Sequence, residues 1–149
     1  MVRREYPDKS ILDIDLAVLY LQSGHLEQAI ELLRWAYQQD ATDVYSTFQL
    51  AKAMEQQGDM AAAERLYLEV ADFIPEYSQL YYALGRLKSQ QGKIGISNFY
   101  LAKHYLYEGR ISYAKQYLKR AKNDQSIPPS LQKEAGAILE RLKKLEDAS

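Results

Sequence analysis

The 149-residue chain has no cysteine and only two histidines, His25 and His104, and these two shortages remove most enzyme chemistries at once. Without cysteine there is no disulfide framework, no thiolate nucleophile and no sulfur ligand for zinc. The histidines stand 79 residues apart, so the pair one helical turn apart that an HExxH zinc hydrolase requires is missing. No G-x-S-x-G elbow exists to carry a nucleophile triad, and neither G-x-x-x-x-G-K-[ST] nor G-x-G-x-x-G occurs to cradle phosphate. His104 with Glu108 is an i, i+4 pair that would make half a metal site. No second histidine or cysteine completes it, so His104 reads as a packing or solvated residue. His25 follows Gly24 and reads as an exposed helix-start residue. Carboxylate pairs such as Glu27 and Glu31 share a helix face and are explained by surface charge. The expectation is a non-enzyme with no cofactor, no metal and no catalytic residue.

Long apolar runs are missing as well. No stretch reaches the roughly 20 apolar residues that span a bilayer, and MVRREYPDKS lacks the apolar core of a signal peptide. The default expectation for location is the cytosol, or the periplasm if a signal-bearing upstream segment is missing. Period-two alternation is nowhere sustained, which excludes strands, and the segments between turns are rich in Ala, Leu, Glu, Gln and Lys. The net charge of −1 conceals an asymmetry: residues 1–91 carry −6 and residues 92–149 carry +5. Such a dipole can steer partners to one end, and it equally fits two differently solvated helical surfaces.

What the sequence does have is a repeat. Glycines stand 34 residues apart at Gly24, Gly58 and Gly92. Eight residues before each comes Leu16, Leu50 or Leu84, and seven before it a small residue, Ala17, Ala51 or Gly85. Five after it comes Ala29, Ala63 or Ser97, and nine after it Leu33, Tyr67 or Leu101. Pro75 closes the second repeat. Apolar residues in each half-repeat follow helical spacing, so each repeat is a helical hairpin whose small residues let two backbones approach. One hairpin cannot bury its apolar stripe alone, and stacked copies must bury it together.

The segments YLQSGHLEQAIELLRWA and AMEQQGDMAAAERLYLEVADFIP carry these marks, and the chain from about residue 10 to 145 resembles the tetratricopeptide repeat. The resemblance implies an all-α, right-handed solenoid of about eight antiparallel helices that acts by binding protein. A further resemblance lies in Leu80 to Ala121, which is similar to the repeat tails of some bacterial HExxH zinc metalloproteases. It implies a substrate-recruiting tail whose catalytic domain is absent here.

The period breaks after Gly92: the next turn glycine, Gly109, follows after 17 residues. Counted from Gly109, the helix from Ser97 to Tyr107 has first-helix marks at Leu101, Ala102 and Tyr105. Counted from Gly92, its Ser97 and Leu101 are second-helix marks. We expect one domain built of two blocks, 10–91 and 95–145, spliced through this helix by a half-repeat slip, with a change of curvature at the joint. A last helix from about 130 to 145, capped by Ser130 after Pro128 and Pro129, ends the stack, with Ile138, Leu139, Leu142 and Leu145 as its apolar stripe.

Three surfaces are candidates for binding. Ten and six residues before each turn glycine stand Ile14 and Val18, Phe48 and Lys52, Tyr82 and Arg86, then Phe99 and Lys103 in the shifted frame. Three of these four pairs place an aromatic ring one turn before a cation. Such a groove suits a peptide offering apolar side chains and a carboxylate, although snorkelling stems on an ordinary solenoid surface give the same pattern. The best-known carboxylate-clamp repeats use Lys and Asn where this chain has Ile14 and Val18. The second surface is the first helix, ILDIDLAVLYL, apolar round most of its circumference, with Ile11, Ile14, Val18 and Leu21 expected to meet an upstream domain or a second copy. The third is the interleaving of Tyr100, Tyr105, Tyr107, Tyr113 and Tyr117 with Lys103, Arg110, Lys115, Lys119 and Arg120. It has the composition of a single-strand nucleic-acid surface, but the acidic balance of the whole chain and the ordinary packing role of tyrosine argue for protein instead.

Overall fold

The computed structural model describes residues 10–149, the side chains of residues 10–12 excepted. Among them the chain forms eight helices and no strand: α1 (Ser10–Gln22), α2 (Leu26–Gln39), α3 (Val44–Gln57), α4 (Met60–Phe73), α5 (Ser78–Gln90), α6 (Ile94–Tyr107), α7 (Ile111–Asn123) and α8 (Pro129–Asp147). The all-α expectation holds. The helices fall into two compact units, Met1–Pro75 and Glu76–Ser149.

Four of the connections are the same turn. Gly24, Gly58, Gly92 and Gly109 all have φ between 77° and 95°, where a Cβ is strained. In each, the glycine N–H donates to the carbonyl three residues back and the next residue's N–H to the carbonyl five back: His25 to Tyr20 at 2.8 Å, Asp59 to Met54 at 3.0 Å, Lys93 to Lys88 at 2.9 Å, Arg110 to Tyr105 at 2.9 Å. This Schellman pairing satisfies the last helix carbonyls and reverses the chain. Two of the other connections rest on aspartate. Asp40 Oδ1 accepts from the Thr42 N–H at 3.0 Å, and Asp124 Oδ1 accepts from the Ser126 N–H at 2.8 Å. Hydrogen bonds from the Thr42 and Ser126 hydroxyls, reinforced by these N–H groups, hold both carboxyls below the usual carboxylate range.

In the first unit α1 packs on α2 and α3, α2 on α3, and α3 on α4. The repeat positions supply the core: Ala17, Ala29, Leu33, Ala51, Ala63 and Tyr67 are fully buried. Each large member contributes about 1.5–3 kcal/mol of burial, and the alanines set how closely the helices approach. The Tyr67 hydroxyl donates to Glu55 Oε1 at 2.8 Å, so its polar end is satisfied.

In the second unit each helix packs on the next, α5 on α6, α6 on α7 and α7 on α8. The central member, α6, has two different sides. Toward α5, Ser97 Oγ donates to the Gly85 carbonyl at 2.7 Å, and Leu101 lies 3.1 Å from where a Gly85 Cβ would be. Toward α7 and α8, Phe99 and Ala102 join Leu118, Ala121, Ile127, Ala135, Leu139 and Leu142 in one core. At Gly95 a Cβ would sit 2.5 Å from Ile127 Cγ2, so side chains of the connection between α7 and α8 lie directly against the Gly95 backbone and would have to shift for any larger residue. Helix α6 is entered by the Gly92 turn and left by the Gly109 turn.

Ser130 does not cap α8. The helix starts at Pro129, with Pro128 in the cap position and no side-chain cap. Proline at the first helical position has its φ already set and lacks an N–H that would be orphaned there.

Candidate interaction surface

The helices place the aromatic and cationic pairs as the sequence spacing requires, but the rings are deeper than expected. In the first unit Lys52 Nζ lies 5.5 Å from the centre of the Phe48 ring, and Phe48 packs on Tyr67 at 5.6 Å. Phe48 is buried, and so is Ile14; Val18 and Lys52 are half-buried. The expectation that Ile14 and Phe48 offer themselves to a partner is corrected. Helix α3 is covered by α1, α2 and α4, so its inward arc is wider than one stripe and takes in Phe48.

The first helix turns Ile14 inward together with Asp13 and Ala17, leaves Val18 and Leu21 half-buried, and exposes Leu19, at 57%, with Asp15 and Gln22. Of the four residues expected at an interface here, Ile14 is therefore core, and Ile11 lies outside the described side chains.

In the second unit Phe99 is buried as well, for it faces α7 and α8. Its partner Lys103 is engaged by the protein itself: Nζ lies 5.1 Å from the Phe99 ring and 5.4 Å from the Tyr81 ring, and it pairs with Glu134 Oε2 at 2.6 Å. Around it Tyr81 meets Tyr100 at 6.4 Å and Tyr107 at 5.5 Å. Burial, reinforced by the neighbouring Tyr107 and Glu134, pushes the Tyr81 phenol up to about 12. Lys103 thus ties α5, α6 and α8 together.

Tyr82 and Arg86 remain on the surface, with the guanidinium 5.9 Å from the ring and both side chains exposed. From Tyr82 a row of rings runs across three helices. Tyr82 meets His104 at 5.3 Å, His104 meets Tyr105 at 5.1 Å, and Tyr105 stacks on Tyr113 at 5.2 Å and Tyr117 at 5.4 Å. Arg120 lies 4.9 Å from the Tyr117 ring, so a guanidinium stands at each end. Tyr82 and Tyr113 are about half exposed. His104 is fixed by Nδ1–H donating to the Ser78 carbonyl at 2.9 Å, which sets the tautomer and leaves Nε2 as an acceptor. It is thus a packing residue, as its sequence context implied, and among the described residues no three His, Asp or Glu gather as a cation site.

The tyrosines singled out for nucleic acid do not form one surface. Tyr105, Tyr113 and Tyr117 belong to the row that starts at Tyr82, whereas Tyr100 and Tyr107 surround Tyr81, and Lys115 is taken by Glu146. The reason is helical: on α6, positions 100, 103 and 107 share one side, 105 lies on the opposite side, and 104 stands between them. Sequence reasoning missed Tyr82 with His104 and Tyr105 as one row, since the three are joined only by packing. The adjacent His104-Tyr105 pair on a helix with two neighbours was the available signal.

Comparison with known proteins bears on the architecture. Residues 20–87 match the tetratricopeptide repeat family. No curated protein sequence matches. Among solved structures, MamA superposes with a TM-score of 0.58 at 20% identity over 80% of both chains. PilF of Pseudomonas aeruginosa gives 0.54 at 18% identity, over 93% of this chain and 71% of that one. SycD, the type III secretion translocator chaperone of Yersinia enterocolitica, gives 0.50 at 18% identity over 95% of both. The chain therefore carries a tetratricopeptide-repeat match over residues 20–87 within an all-α fold of tetratricopeptide-repeat type.

Proposed function

We propose that this chain is a protein-interaction scaffold, a module of a larger protein or an adaptor, and that its second unit holds an extended peptide along the row from Arg86 to Arg120. The observation that carries the reading is the row itself: contiguous rings spanning α5, α6 and α7, tilted from Tyr82 to Tyr105 and stacked from Tyr105 to Tyr117, with a guanidinium over the Tyr82 and Tyr117 rings. Rings take apolar or proline side chains, and the guanidiniums take carboxylates in bidentate fashion. The second unit carries +6, which favours an acidic peptide. Lys52 over Phe48 supplies a similar cationic feature in the first unit. SycD, which shares the fold, is a translocator chaperone, in keeping with a protein-binding role.

Panning a random peptide library against the full chain tests this. Enriched sequences should combine Asp or Glu with Phe, Trp or Pro, and Arg86→Glu with Arg120→Glu should weaken them at least about tenfold, 1.4 kcal/mol. Binders without acidic bias, or equal binding by the folded double variant, would refute it. A second reading, the recruiting tail of a zinc metalloprotease, rests on the resemblance of Leu80 to Ala121, the segment that holds α5, α6 and α7. An HExxH segment in the reading frame upstream of Met1 would support it, and its absence there would remove it.

A further inference from the structure

A cleft of about 410 Å³ opens between α6 and α8, away from the ring row. Leu106 and Tyr107 of α6 face Ile138, Leu142 and Leu145 of α8, and Arg141 stands among them. Leu145 is 69% exposed and Tyr107 38%, so the apolar lining is open. Along α8 the lining runs from Glu134 to Leu145, three turns or roughly 17 Å at about 1.5 Å per residue. This is the length and character of a groove that takes one amphipathic helix.

The chain itself contains a helix that matches it. On the outer side of α1, Asp15, Val18, Leu19 and Gln22 form an i, i+3, i+4, i+7 stripe: an acid, two apolar residues and an amide. Leu19 is 57% exposed, and Asp15 stands one turn before it. Charge points the same way. The unit that holds α1 carries −7, and the unit that holds the cleft carries +6. Stacked hairpins bury their stripes on the neighbouring hairpin. Here an outward apolar stripe with an acid and an open apolar groove with a cation stand in units of opposite charge.

We propose that α1 of one copy docks in the α6–α8 cleft of a second copy, with Leu19 on Leu106, Ile138 and Leu145, and Asp15 beside Arg141. The contact joins two different surfaces, so each added copy offers the complementary surface to the next, and the assembly closes as a pair or ring or continues as an open chain. It does not depend on peptide recognition by the ring row and stands or falls separately.

Sedimentation velocity from about 10 µM to about 1 mM tests it. At low salt the average mass should climb from 17.2 kDa to at least twice that value as concentration rises. It should fall back as ionic strength rises well above about 0.15 M. Asp15→Arg and Arg141→Glu, both at exposed positions, should each stay monomeric at concentrations where the unmodified chain assembles, with circular dichroism confirming that each is folded. Mixed together they should assemble again, because the interfaces then alternate between Asp15 with Arg141 and the exchanged pair. A strictly monomeric unmodified chain would overturn the inference. So would assembly that Arg141→Glu leaves intact, which would indicate pairing of α1 with α1, or a mixture of the two variants that stays monomeric.

Discussion

Gly95 is the position where the dual packing of α6 can be tested by a single methyl group. The residue is helical, so replacing glycine by alanine gains about 1 kcal/mol in backbone terms. Against that, the new Cβ would lie 2.2 Å from Asp124 Oδ2 and 2.5 Å from Ile127 Cγ2. Carbon atoms in contact need about 3.5–4.0 Å, so Ile127 must retreat by more than 1 Å. It is a β-branched side chain, buried at 4% exposure in the core shared by α6, α7 and α8. Asp124 is held through its other oxygen by the N–H and hydroxyl of Ser126. Overpacking of this kind costs about 1–3 kcal/mol, and a buried β-branched neighbour places the cost toward the upper end, leaving Gly95→Ala destabilised by up to about 2 kcal/mol. Gly136→Ala on α8 is the internal control, since its Cβ would meet nothing nearer than Lys122 at 3.8 Å. It should gain about 0.5–1 kcal/mol. The two variants should therefore differ by about 2 kcal/mol, or roughly 4–8 °C in Tm at this chain length, followed by circular dichroism. A Gly95→Ala protein as stable as the unmodified chain would refute the close contact of the α7–α8 connection with Gly95.

Alkaline stability should report on Tyr81. Its folded phenol titrates near 12 against an ordinary 10.0, so its contribution is complete below pH 10 and is lost as pH rises toward 12, at up to about 1.4 kcal/mol per pH unit. Urea denaturation at successive pH values should show this slope, and Tyr81→Phe should flatten it; an unchanged slope would place the titration elsewhere. Asp40 and Asp124 act at the other end of the scale: their contributions are present above the ordinary carboxylate range and fade as pH falls through their lowered folded values. Replacing both by Asn should make stability less sensitive to acid. For binding, Lys103→Met should perturb the packing of α6 against α5 and α8 more than it perturbs a partner, because the ammonium already faces two rings and Glu134. A loss of peptide affinity without loss of stability would reverse that assignment.

The architecture was legible because backbone chemistry repeats in the sequence. A residue with φ near +80° is nearly always glycine, so Gly24, Gly58, Gly92 and Gly109 marked four turns. The small residues at fixed offsets, Ala17 with Ala29 and Ala51 with Ala63, proved to be fully buried contacts. Side-chain depth was not legible. Phe48 and Phe99 sit at positions that an isolated hairpin leaves open, and only the number of neighbours around α3 and α6 decides that they are buried. The row from Tyr82 to Tyr117 was hidden for the same reason: its members come from three helices, and no spacing within one helix reveals which ring meets which.

The four equivalent turns give α6 the character of a removable cassette. Residues 93–109 begin after one turn glycine and end on the next, so excising them joins Gly92 directly to Arg110 with the turn chemistry intact. Five and nine residues after the joining glycine, Ala114 and Leu118 would then stand where Ser97 and Leu101 stood, and both are already core-sized and core-facing. A stack whose turns obey one rule can lengthen or shorten by half a repeat at a time, so this fold can acquire either an odd or an even number of helices without inventing a new junction.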